Sequence, residues 1–180
     1  MTVLVEAISV IIKVSAIEEK FPGGIGNFEI NIPNVPFCKD DELIMVEFMS
    51  PDDVGEYIAT LEEHGLRYVK NDVALDMVVA DQRTGFLVAC DWAEVGTLSH
   101  DENPDMQVTA CWLKNSDTGD LIAPDNWDYE RSLSQTFSFT PLGQLEKSLT
   151  FLRHEDGDDV YLNRLTGRIS YIGRSSNDKR

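Results

Sequence analysis

The sequence is short of nearly everything that covalent or metal chemistry requires. Its 180 residues hold three cysteines, Cys38, Cys90 and Cys111. They are scattered, odd in number and without a C-x-x-C pair, which excludes a zinc ribbon or a redox dithiol. Isolated thiols of this kind fit a reducing, cytoplasmic setting. No H-E-x-x-H, G-x-S-x-G or Walker sequence occurs, and no cysteine stands in a plausible order with a histidine and an asparagine. No catalytic set, metal site or cofactor is therefore assigned. The apolar start, MTVLVEAISVIIK, has no positive flank, is interrupted by Glu6, and is far shorter than a bilayer span, so neither export nor a membrane anchor is expected.

Positive charge is scarce as well. Fifteen Lys and Arg stand against 32 Asp and Glu, a net charge of -17. By segment the balance is -8 over residues 1–60, -11 over 61–130 and +2 over 131–180. Nucleic acid and anionic lipid would be repelled by the first two-thirds, since affinity for phosphates comes from neutralising cations. A basic protein would be attracted.

With 42% hydrophobic and 26% charged residues, the chain has the makeup of a globular protein. Its length suits one domain spanning 1–180, with 96–107 the soft place where a boundary would fall. Residues 3–13 are apolar on both period-2 faces, as in a central strand covered on both sides. Ser15 and Glu18 have capping-box spacing ahead of a helix of about two turns, stopped by Pro22-Gly23. The stretch GGIGNFEINIPNVPF predicts a loop, with a short extended piece near 28–32; its glycines follow a helix and precede no lysine, so they cradle no phosphate. LIMVEFM (43–49) predicts a second strand.

The clearest helix spans about 51–64. Ser50 is its N-cap, Pro51 opens it, Asp52 and Asp53 face the positive end of the helix dipole, and Gly65 follows the end. Val54, Tyr57, Ile58 and Leu61 form its buried stripe, and His64 caps its last carbonyls.

DQRTGFLVA (81–89), NSDTGDLIA (115–123) and NRLTGRISY (163–171) share an Asx, two residues and Thr-Gly. The Asx bonds the backbone ahead and the glycine accepts a positive φ, so each predicts a β-hairpin. Residues 141–152 fit both a helical stripe and a strand, and 155–158 fit a bend. The polar segments 96–106 and 122–131 predict loops. The acidic clusters HDENPD (100–105) and HEDGDD (154–159) lack calcium-loop spacing and suit solvated turns.

Asp76 and Asp91 interrupt apolar strands. Period 2 puts each on a wet face, and burial would instead make either a base. Trp92 and Trp112 fall in strand-like stretches and are expected in the core. The segment APDNWDYERS (123–132) is the candidate binding loop, with Asp125, Trp127, Asp128, Tyr129 and Glu130 presenting aromatics in a polar rim; a Trp in such a loop can equally tuck over a sheet edge.

The expected fold is α+β: a mostly antiparallel sheet with several hairpins, the capped helix at about 51–64 and one or two short helices. The expected function is non-catalytic binding, as an inhibitor or neutraliser presents an acidic surface to a basic protein partner. The alternative is a small-molecule domain or carboxylate-dependent enzyme, with a pocket between sheet and loops and Asp76, Asp91 or Glu94 as acid or base.

Overall fold

A computed structural model of the chain describes residues 1–135, 139, 149–156, 158–163 and 169–173. They belong to two compact units, Met1–Phe139 and Thr140–Arg180. The first unit runs β1 (Thr2–Leu4), β2 (Ile8–Lys13), α1 (Val14–Lys20), α2 (Gly24–Ile30), β3 (Phe37–Lys39), β4 (Leu43–Phe48), α3 (Pro51–Glu63), β5 (Val69–Lys70), β6 (Val73–Ala74), β7 (Met77–Asp81), β8 (Gly85–Phe86), β9 (Ala93–His100), β10 (Asn103–Leu113) and β11 (Leu121–Ile122). This is an α+β fold, as the sequence predicts.

Five strands form one sheet in the order β3-β4-β2-β7-β8, and four form another in the order β11-β1-β10-β9. Every pair in the larger sheet is antiparallel. Its central strand β2 is buried on both faces: Val10 and Ile12 pack with Ile17, Phe28, Tyr57 and Leu61 of the helices, whereas Ile11 packs with Val3, Leu4, Val108 and Cys111 of the smaller sheet. Two apolar cores therefore sit back to back across one sheet. That is why the run after residue 7 shows no polar alternation.

The expected strand 3–13 is broken into β1 and β2, one in each sheet. Between them Ala7 takes a left-handed φ of 51°. Its N–H donates to Gln82 Oε1 at 2.9 Å and its carbonyl accepts from Gln82 N at 2.9 Å. These two bonds hold a conformation that costs a non-glycine residue about 1–2 kcal/mol.

Helix α3 follows its sequence signals. Ser50 Oγ accepts from the backbone of Asp52 at 3.2 Å and Asp53 at 3.5 Å, a cap worth about 1 kcal/mol. Gly65 follows with φ 101°, and Val54, Tyr57 and Leu61 are buried. His64 Nδ1 lies 2.7 Å from the Thr60 carbonyl, and its ring stacks on Phe21 at 4.9 Å.

Other expectations need correcting. Residues 24–30 are helical, because Phe28 is buried edge-on against Phe21 at 5.2 Å, and that burial overrides the poor helix propensity of the glycines. The capping box at Ser15 is not used, since the helix begins at Val14 with no side-chain cap. Residues 96–106 are not a loop: β9 and β10 make a hairpin, with His100 opposite Asn103 and a two-residue turn in which Asp101 and Glu102 both have positive φ, 50° and 56°. That geometry is commonly marked by Asn-Gly, and here Asp-Glu carries it.

Of the three Thr-Gly segments, the first is a hairpin between β7 and β8, with Arg83 N bonded to Asp81 Oδ1 at 2.8 Å and Gly85 at φ 86°. The second is not. β11 pairs in parallel with β1, which separates it from β10, so residues 115–120 cross over β1 rather than fold back. The third joins a hairpin in the second unit, and its bend at 164–168 lies outside the described residues.

That unit is a three-stranded antiparallel sheet of β12 (Leu149–Glu155), β13 (Asp158–Asn163) and β14 (Ile169–Gly173). Residues 149–152 are strand, while 141–148 lie outside the described residues. The bend at 155–158 is present, with Asp156 at φ 50°.

Asp76 is buried, not on a wet face. Both carboxylate oxygens accept from Lys20 Nζ at 2.9 Å, and Oδ2 also accepts from Arg67 N at 2.7 Å. Asp91 is exposed. Trp92 is half-buried at the edge of the second core, its Nε1 donating to the Ala74 carbonyl at 3.1 Å. Trp112 is half-buried outside both cores, with Nε1 donating to Glu94 Oε2 at 3.1 Å.

Candidate functional site

The loop after β11 brings two aromatic side chains, Trp127 and Tyr129, against His100 of the smaller sheet. Pro124 is buried, and a turn closed by Trp127 N on the Pro124 carbonyl at 3.1 Å aims the Trp127 side chain back at the smaller sheet. The indole meets His100 edge-on with ring centres 5.2 Å apart, and Tyr129 stacks on the same His100 ring at 6.0 Å. His100 is placed there by the end of β9, one residue before the tight turn.

A cleft of about 720 Å³ opens beside this group. Trp127 and His100 supply aromatic walls, the carboxylates of Asp101, Glu102 and Asp120 its charge. Asp101 and Glu102 are exposed, and Asp101 Oδ2 lies 3.4 Å from His100 Nε2. A second groove of about 730 Å³ runs between residues 34–39 and 122–126, with Phe37, Lys39 and Asp125 among its walls. Lys39 is already paired with Glu29.

The five residues named from the sequence are thus separated by their surroundings. Trp127 lines the acidic cleft, half-buried, so tucking over the sheet and walling a surface cleft are one arrangement. Tyr129 supports it through His100. Asp125 is exposed at the other groove, and Glu130 is exposed. Asp128 is engaged locally: Oδ1 accepts from Arg131 N at 2.9 Å and Oδ2 lies 3.3 Å from Arg131 Nε, capping a short 3-10 turn. Of the carboxylates proposed for acid–base chemistry, Asp76, Asp91 and Glu94, none lines either cleft.

Sequence reasoning missed Glu6, the residue on which this loop rests. Only 5% exposed, its carboxylate accepts from Trp127 Nε1 at 2.9 Å through Oε2 and from Leu133 N at 2.8 Å through Oε1. Its own backbone N–H is bonded to Ser9 Oγ at 3.2 Å. Burial raises the Glu6 pKa, and the donors from Leu133, Trp127 and Ser134 offset part of that rise. Glu47, on the neighbouring strand β4, is pushed up to about 7, first by burial and then by the charge of Glu6. The signal for Glu6 was visible: a single carboxylate inside the most apolar run of the chain.

The thiols are poor nucleophiles. Cys38 and Cys111 are buried and free, and burial pushes Cys38 up to about 12 and Cys111 higher still. Among the described residues no group of three or more His, Cys, Asp and Glu is arranged to hold a metal ion. No helix among them is long and apolar enough to cross a membrane. Comparison of the chain with protein-family models, with curated proteins and with solved structures gave no match.

Proposed function

We propose that this chain is a non-catalytic binding protein of the cytoplasm, which takes a basic protein partner by receiving a cationic side chain in the His100–Trp127 cleft. The observation that carries this reading is the cleft itself, whose walls are shared by Asp101, Glu102, Asp120 and the Trp127 indole. A guanidinium or ammonium group gains there from carboxylates and from an aromatic wall at once. The net charge of -17 supports it by drawing basic partners in and holding anionic competitors off. Three free cysteines support the reducing compartment.

The experiment compares a polyarginine peptide with its citrulline counterpart, which keeps shape and loses charge. Calorimetry will show binding of the first and not the second, and binding will weaken by about tenfold as salt rises toward the range where the Debye length falls to several ångströms. Neutralising Asp101, Glu102 and Asp120 together as amides will weaken it by about the same factor or more. Equal affinity for both peptides, or indifference to the triple replacement, sinks the proposal.

A further inference from the structure

We propose that Glu6 is the positioning residue of the cleft: one buried carboxylate ties down the 127–133 strap at both ends and so fixes the indole that walls the site. This rests on the reading of the cleft as the partner site.

The geometry carries the proposal. Glu6 lies at the corner where the chain leaves the smaller sheet for the larger, immediately before the left-handed Ala7. Its two oxygens serve different ends of the strap, Oε2 the Trp127 indole at 2.9 Å and Oε1 the Leu133 backbone at 2.8 Å. Nearby, Gln82 Nε2 donates to Ser134 Oγ at 3.2 Å, and Gln82 Oε1 accepts from Ala7 N at 2.9 Å, so the strap and the corner are joined by a second path.

An apolar side chain would fill this corner without the cost of removing a carboxylate from water. What a carboxylate adds is direction. It accepts two N–H groups at fixed angles, and the indole it holds sits nearly perpendicular to His100, at 88°, while Tyr129 lies almost parallel to the same ring, at 16°. The order of these three rings follows from where Glu6 holds the first of them. Such a bond is stronger than one between neutral partners.

A double-replacement cycle on the full chain tests this, using Glu6→Gln, Trp127→Phe and the two together. Glutamine keeps the shape of Glu6 but turns one acceptor into a donor facing an N–H; phenylalanine keeps an aromatic ring and removes the indole donor. Two quantities are read: polyarginine affinity, and the emission and acrylamide quenching of Trp127, obtained by subtracting the Trp127→Phe spectrum. Glu6→Gln is expected to shift the Trp127 emission to the red, open it to quencher, and weaken polyarginine binding about tenfold. In the Trp127→Phe background the same replacement changes affinity little. Additive effects on affinity, as from a residue that only supports the fold, overturn the proposal, and so does an unchanged Trp127 spectrum in a folded Glu6→Gln chain. If the unsubstituted chain does not bind polyarginine, the partner reading falls. The spectrum then still decides about Glu6, an exposed indole upholding the anchoring role and an unchanged one overturning it.

Discussion

Replacing Asp76 with alanine will lower the free energy of unfolding by about 3 kcal/mol, the range found when one partner of a buried ion pair is removed. Asp76 is 3% exposed and joins three parts of the fold: the end of α1 through Lys20, the segment after α3 through Arg67, and the start of β7 by its own backbone. Alanine leaves the Arg67 N–H without its acceptor and strands the Lys20 ammonium. The Lys20 side chain is 31% exposed, so it can turn partly to water, which keeps the loss below the extreme for such pairs. Asp76→Asn preserves one acceptor oxygen and is expected to cost about half as much. Urea unfolding followed by circular dichroism measures both. A loss under about 1 kcal/mol for alanine would mean that the pair only balances its own desolvation.

Glu47→Gln will act in the opposite direction, and only above a certain pH. Burial and the charge of Glu6 push the Glu47 carboxyl in the folded chain up to about 7, whereas a glutamate open to water titrates at 4.5. Below the unfolded value the group is protonated in both states, and its relative contribution to stability is fully present. As pH rises from there through 7, the unfolded chain has already released its proton while the folded one must ionise a half-buried group beside Glu6, and that stability is lost. Glutamine removes the dependence. The variant should match the parent near pH 4 and exceed it by about 1–2 kcal/mol at pH 8, a figure reduced for solvent screening of a partly open group. Unfolding curves at both pH values provide the check; a gain that is the same at each would assign it to something other than ionisation.

What the sequence made legible was local. Helix α3 could be read because Ser50, Pro51, Asp52, Asp53 and Gly65 each act within a turn of their own position. The β7–β8 turn could be read for the same reason. The failures are all cases in which distant residues decide. Phe28 makes a helix of a glycine-rich stretch by packing on Phe21. The Thr-Gly segment at 115–123 has hairpin chemistry, but β1 claims the position beside β10. Asp76 has the spacing of a wet-face residue and is buried by Lys20, 56 positions away. The candidate site was half visible: Trp127 stood out as a large aromatic among charges, but the bond that holds it spans 121 positions. His100 belonged to a cluster with no ligand spacing, and what gives it significance is the company of Trp127 and Tyr129.

The placement of β1 bears on the birth of the molecule. Val3 lies between Cys111 and Ile122, so β1 must wait for partners made more than a hundred residues later, whereas the larger sheet has all its strands by Phe86. Connections that long close slowly. In refolding followed by pulsed hydrogen exchange, the amides of Ile11 and Ile12 should gain protection before that of Val3. Until the late strands arrive, the nascent chain carries an uncovered apolar face on its first sheet, and a chaperone has the opportunity to hold it.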